Sequence, residues 1–189
     1  MSGRYKIWSR TWARGFAKLT HLQNVDKDEE ILRGASRAAS FSPEALYEMD
    51  AEHPKDVKLG DSFDTMIHHV ASEPFKNVLD AALGSSKVEF LPVKIQNHKK
   101  RFADGRFYVV NPLDVIDAID PVASMATFNK LDPSQIFNMK RAVLKALPAD
   151  VVVFRPASLT NRIFVREDVA EQLEALKNVV FEDPDEFKG

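Results

Sequence analysis

His68 and His69 stand side by side, with Asp64 four residues before the first and Glu73 four residues after the second. Such a set suggests metal ligation or acid–base work. On a helix, however, adjacent residues point about 100° apart, so the pair cannot grip one ion as an i, i+4 pair does. No H-E-x-x-H frame forms, and Ser72 reads as a cap that breaks the helix before Glu73. Partly exposed helix histidines are the simpler account. Asp114, Asp117 and Asp120 repeat every three residues. A hard cation needs several oxygens converging on one point, and an EF-hand loop needs a Gly and a terminal Glu in frame. Neither is present, so these aspartates read as caps and turn formers. The seven glycines form no phosphate-cradling loop. Ser36, Ser40, Ser72, Ser85 and Ser86 lack the G-x-S-x-G context of a nucleophile elbow. The chain has no cysteine, which removes disulfides, zinc thiolates, iron–sulfur clusters and thiol nucleophiles. The expectation is no metal, no cofactor and no catalytic residue, although distant residues could still assemble a site.

The elements that would position these residues follow from periodicity. Arg4–Trp8 alternates polar and apolar side chains, as a strand does. Trp8, Trp12 and Phe16 recur every four residues and would line a helix, as core or, if exposed, as a partner anchor. Lys27–Ala39 reads as helical. Ser42-Pro43-Glu44 reads as a helix start running to about Met49. Asp61 or Ser62 would cap another helix with Phe63, Ile67 and Val70 on one stripe. Glu73–Leu83 is the clearest helix, with Ser72 as cap, Pro74 in the first turn and Gly84 at the stop.

After Gly84 the pattern changes to strands. Val88–Ile95 and Arg106–Val110 read as a hairpin whose basic tip, His98–Gly105, closes on Asp104-Gly105. Pro92 pushes the first of these strands towards an edge or a bulge. Asp132-Pro133-Ser134-Gln135 has capping-box chemistry, and Met139–Leu144 is ambiguous between helix and strand. Val151–Arg155, Arg162–Val165 and Val179–Glu182 read as strands, with a helix over Glu167–Lys177 between the last two.

The 189 residues carry 26 Lys+Arg against 28 Asp+Glu, with 44% apolar residues. This is ordinary for a globular protein and argues against a general nucleic-acid binder. No apolar run approaches the ~20 residues of a membrane span, and no secretory leader is visible, so cytoplasmic folding is expected. Charge is uneven. Residues 1–20 hold five bases and no acid, and residues 21–80 hold thirteen acids against six bases. Residues 81–110 hold six bases against two acids, and the remainder thirteen acids against nine bases. Solvated faces account for such blocks, and a surface that steers one partner is the sharper alternative.

The second half has a specific texture. Val88-Glu89-Phe90-Leu91-Pro92-Val93-Lys94-Ile95 is followed by Tyr108-Val109-Val110-Asn111-Pro112-Leu113-Asp114-Val115-Ile116-Asp117-Ala118-Ile119-Asp120, and then Ser124. Further on come Val153-Phe154-Arg155-Pro156 and Asn161-Arg162-Ile163-Phe164-Val165. Residues 72–182 in this order resemble bacterial polymorphic-toxin immunity-protein family number eleven. The resemblance implies a protein that binds a cognate toxin and neutralises it by occlusion, with no catalytic residues. It also favours a strand at Met139–Leu144. An enzyme or small-ligand-binding protein on the same fold is the rival, and would show a deep pocket with converging polar groups.

The expected fold is α+β, a single domain with N-terminal helices packed on a mainly antiparallel sheet from the C-terminal half. Residues 1–70 would be a variable helical part, 72–182 the family-like core and 183–189 an acidic tail. Charge clustering nominates Glu44, Glu48, Asp50 and Glu52, then Lys99, Lys100 and Arg101, then Asp183, Asp185 and Glu186 as partner contacts. Asn111, Pro112, Asp117, Asp120, Ser124, Phe154 and Arg155 carry the family signature. They are expected to fix a turn between hairpin and core, with partner contact as the alternative.

Overall fold

Apolar side chains that alternate along a strand are sent to opposite faces of a sheet. Here that alternation links three cores. The computed structural model describes residues 4–10 and 13–187. Its elements are β1 (Tyr5–Ser9), a single-turn α1 (Glu29–Leu32), β2 (Leu46–Glu48), β3 (Ser62–Phe63) and β4 (Val70–Ser72). α2 (Glu73–Ala82), β5 (Val88–Gln96), β6 (Phe107–Pro112) and β7 (Val115–Ile116) follow. β8 (Thr127–Phe128), β9 (Ile136–Asn138), β10 (Val153–Pro156), β11 (Phe164–Arg166), α3 (Glu167–Glu174) and β12 (Val180–Glu182) complete the order.

One five-stranded sheet runs β12-β1-β11-β10-β7, and the other β2-β5-β6-β4-β3. Both are antiparallel except at β10–β7 and β2–β5. β8 and β9 form a separate two-stranded hairpin. Trp8, Ala71, Val110, Val153 and Val165 meet α2 and α3 in a central core that joins the sheets. On the far side of one sheet lie Tyr47, Leu91, Val93, Ile95 and Val109. Tyr5, Ile7, Phe154 and Phe164 lie on the far side of the other.

The expected α+β arrangement does not form. The chain is mostly β, with three short helices. The N-terminal part supplies four strands, β1–β4, instead of a helical layer. Local start signals were overridden by strand pairing. The Ser42 hydroxyl accepts from the Glu44 N–H, an i to i+2 turn and not a helix cap. Leu46–Glu48 then pairs in parallel with Lys94–Gln96, and Ala45, Tyr47 and Met49 are buried at period two. Ser62–Phe63 pairs with Val70–Ala71, which leaves Ile67 exposed on the connection between them.

Of the expected helix at Lys27–Ala39 only Glu29–Leu32 is helical. It stops at Gly34, φ +68°, where a Cβ would stand 2.5 Å from Val115 Cγ2. The helix through Trp8, Trp12 and Phe16 is absent as well. Trp8 is in β1, fully buried, stacked on Phe75 at 4.3 Å and donating to Ser62 Oγ at 3.0 Å. Phe16 bridges to Lys58, and Trp12 lies outside the described residues. Asp132 makes a turn into β9, its carboxylate accepting from the Ser134 N–H and hydroxyl. Met139–Leu144 is neither helix nor continuous strand, since only Leu144 bridges, to Ile119.

α2 matches its expected span, with the Ser72 hydroxyl accepting from the Phe75 N–H at 3.4 Å and donating to Asp61 at 2.5 Å. The hairpin and β10–β12 fall within a residue or two of expectation, and α3 starts where expected but ends at Glu174, three residues short of Lys177. Pro92 sits where the β2-side edge of β5 is still unpaired, because β2 joins only from Lys94. A residue without an N–H is tolerated there.

Candidate interaction surface

The parallel pairing of β2 with β5 brings two separately nominated charge clusters onto one face. Glu44 pairs with Lys94 at 2.9 Å, and Glu48 with Lys100 at 2.5 Å. The Lys100 bond holds the Glu48 carboxyl below its usual range. Asp50 accepts from the Glu52 N–H at 2.9 Å and contacts His53 at 3.1 Å and Lys18 at 3.9 Å. Glu52 sits on the exposed turn that follows. Lys99 and Arg101 are exposed and make no ion pair among the described residues, while their backbone N–H groups both donate to Asn97 Oδ1. Among the described residues a single ion pair, Glu48–Lys100, joins the acidic stretch to the basic loop. Exposed pairs of this kind contribute little stability.

Asp183, Asp185 and Glu186 lie on a folded turn. The Glu186 and Phe187 N–H groups donate to the Asp183 carbonyl, and the Ala142 N–H donates to the Pro184 carbonyl at 2.7 Å. Phe187 is buried, with the Arg162 guanidinium 5.3 Å from its ring centroid. Asp183 and Asp185 line an open cleft of about 360 Å³ together with Arg4, Lys6, Lys145 and Glu167. Its acids and bases are balanced, so it carries no strong field of either sign.

The signature residues make the following contacts. Asn111 is fully buried and donates through Nδ2 to the Ala35 carbonyl at 2.9 Å and to Glu89 at 3.2 Å. Glu89 also accepts from the Ser36 hydroxyl at 2.5 Å and the Arg37 N–H at 2.8 Å. Partial burial works against the Glu89 charge, but these donors overcome it and hold the carboxyl below its usual range. Segment 35–37 is thus clamped onto the hairpin. Pro112 ends the β5–β6 ladder opposite Val88. Asp120 accepts from the Val122 and Ala123 N–H groups at 3.0 Å. The buried Ser124 hydroxyl accepts from the Val143 N–H at 2.9 Å, and Asp117 pairs with Lys145 at 2.7 Å. Phe154 packs between Tyr5 and Phe164.

Arg155 is fully buried. Its Nη1 donates to the Thr160 carbonyl at 2.8 Å, while Nε and Nη2 have no hydrogen-bond partner. Burial, with Arg10 nearby, pulls its pKa down to about 10.

His68 and His69 lie on the connection between β3 and β4, just before β4, and both are buried. His69 Nε2–H donates to the Trp8 carbonyl at 3.1 Å. His68 accepts from the Tyr47 hydroxyl at Nδ1, 3.1 Å, and donates from Nε2 to the Asp28 carbonyl at 3.2 Å. Carbonyl partners fix the tautomer of each ring. Burial lowers both histidine pKa values, His69 far more, with Arg10 and Arg155 adding to the effect. Tyr47, His68 and Asp28 line up as a proton relay would, but the cleft beside them measures only about 10 Å³. That is room for about one water, not a substrate. Among the described residues no three potential ligands gather as a metal site requires.

Sequence reasoning looked for partner contacts among charges and overlooked apolar side chains. Val122, Met125, Phe128, Leu131 and Phe137 are exposed on and beside the β8–β9 hairpin. The sequence of residues 121–139 carried no signal, since it is about as apolar as the chain as a whole.

Broad exposed surface of this kind is what a binding protein offers. The chain matches the family model of the Imm11 immunity proteins over residues 19–186, and it belongs to that immunity protein family. The match begins well before residue 72, where the resemblance had been placed, consistent with β2–β4 sharing a sheet with the signature hairpin. No curated protein matches the chain. No helix among the described residues is long and apolar enough to cross a membrane.

Proposed function

We propose that this chain is the antidote of a polymorphic toxin: it binds a cognate toxin domain in the cytoplasm and silences it by occlusion, without turnover. The observation that carries the reading is membership of the immunity protein family over residues 19–186. Occlusion needs only a stable interface, on the order of 800 Å² per partner. The charged groups Glu44, Glu48, Asp50, Glu52, Lys99, Lys100, Arg101, Asp183, Asp185 and Glu186 serve to steer the encounter, where charge acts on association rate more than on affinity. Nucleic acid and membrane have no part in it.

The test is to mix the purified chain with the toxin domain encoded beside it and follow heat release and toxin activity. One-to-one binding with nanomolar affinity and stoichiometric loss of activity is expected. Absence of binding overturns the reading.

A further inference from the structure

We propose that the toxin docks on the β8–β9 hairpin and the turn preceding it, and that it presents there an apolar patch with an acidic rim. This deepens the reading above and rests on it. The hairpin belongs to neither five-stranded sheet and stands out from the body, moored by Ile136 and Met139 in the core and by the Ile136 N–H on the Ser158 carbonyl at 2.7 Å.

A half-buried strand normally turns polar side chains outward. Here Ile136 points in and Phe137 points out, so both faces of β9 are apolar. Val122, Met125, Phe128, Leu131 and Phe137 are 43–96% exposed. At about 150–200 Å² for a large apolar side chain, they offer roughly 600 Å² of apolar surface. As a sum over five residues, this approaches one side of a standard interface.

The patch is shaped as well as apolar. Phe128 and Phe137 flank a cleft of about 460 Å³ together with Thr127 and Lys130. Met125 has φ +51°, a left-handed conformation that non-glycine residues rarely adopt, and its side chain is exposed.

The rim supplies the partner's charge. Lys130, Lys140 and Arg141 are exposed and unpaired among the described residues, on a chain whose net charge is −2. Arg141 Nε donates to the Ala123 carbonyl, and the Lys140 N–H to the Ser124 carbonyl, which ties these cations to the apolar turn. Two acids adjoin these three bases, Asp132 at the hairpin tip, hydrogen-bonded by Ser134, and Asp120, hydrogen-bonded by the Val122 and Ala123 N–H groups, so the rim remains basic by one charge. A second copy of this chain would set basic rim against basic rim, so the occupant is a different protein with acids around an apolar centre.

The experiment is calorimetry of the full chain against the neighbouring toxin domain, with Leu131→Asp, Phe137→Asp and Val122→Glu as separate variants and Glu171→Lys, at an exposed position on α3, as control. The expected result is an affinity loss of 100-fold or more for the first two, an unchanged melting temperature, and less than threefold change for the control. Val122→Glu guards against a hairpin variant that does not fold. Wild-type binding that every hairpin variant retains overturns the surface and leaves the antidote reading standing. No wild-type binding overturns both. A wild-type dimer, or adhesion to phosphatidylserine vesicles, that the hairpin variants abolish while toxin binding persists overturns the assignment of the patch to the toxin.

Discussion

Lowering the pH from 7 to 5.5 should destabilise this protein through His69. The ring is fully buried, its Nε2–H is committed to the Trp8 carbonyl, and its Nδ1 has no partner to receive a proton's charge. Burial first, then Arg10, Arg155 and Arg162, hold its pKa well below the ordinary value, with only the Trp8 carbonyl acting the other way. In the unfolded chain a histidine titrates near 6.5. Above that value neither state binds the proton and stability is unaffected. Below it only the unfolded state does, so stability falls as pH falls until the folded pKa is reached. Between pH 7 and 5.5 the loss is about 1.3 kcal/mol for one such ring. His68 adds to it in the same direction over the interval between its own folded and unfolded values.

The carboxylates held low, Glu89, Asp50 and Asp168, lose their contribution only below the ordinary carboxylate range, well under this window. Asp64, raised by burial, acts oppositely and also at more acidic pH. Urea unfolding of wild type and His69→Gln at both pH values isolates the term, because glutamine keeps a donor for the Trp8 carbonyl but cannot titrate. The wild type should lose at least about 1.3 kcal/mol, equivalent to roughly 3–5 °C in melting temperature for a chain of this size. The variant should lose that much less. A flat wild-type profile, or equal losses in both proteins, would refute the claim that His69 is folded in the neutral form.

Gly34→Ala should cost 2 kcal/mol or more, about what a strained backbone plus a clash imposes, since its φ is +68° and its Cβ would meet Val115 Cγ2 at 2.5 Å. Val115→Ala should recover part of that loss in the melting temperature of the double variant. Asn111→Ala should cost about 1–3 kcal/mol by urea midpoint, because it frees segment 35–37 and withdraws a donor from Glu89. Arg155→Met should be neutral or raise the midpoint, since it exchanges a buried guanidinium with two unpartnered nitrogens for an apolar chain. A loss above 3 kcal/mol would show that those nitrogens are satisfied in solution.

What the sequence disclosed of the fold depended on whether local and long-range signals agreed. At α2 a cap, a proline in the first turn, a single apolar stripe and a stop glycine all point one way, and its neighbours pack against that stripe. At residues 42–49 they disagree. Ser42-Pro43-Glu44 announces a helix, but Ala45, Tyr47 and Met49 alternate with Leu46, Glu48 and Asp50, and the edge of β5 beyond Pro92 needs a partner. The alternation was present in the sequence, and pairing with β5 decided it. The same holds for β3 and β4, two and three residues long. Elements that short carry too little periodicity to be recognised until the strand they pair with is known.

The candidate site was hidden for a different reason. Charge blocks along a chain predict a charged face only if the blocks fold apart. Glu44 and Glu48 are far from Lys94 and Lys100 in sequence, yet the parallel β2–β5 pairing sets them side by side as ion pairs. Exposed apolar residues are invisible in the opposite way, since a sequence offers no means to tell Phe137 from Phe154. Both are phenylalanines on strands, and only the packing of β10 inside a five-stranded sheet and of β9 outside one separates a core side chain from a surface one. Under the proposed function, the residues that would cover a toxin belong to that second class. For such a chain the informative observation is where the apolar side chains fail to find an interior, and here that is the hairpin moored by Ile136 with Phe128, Leu131 and Phe137 left outside.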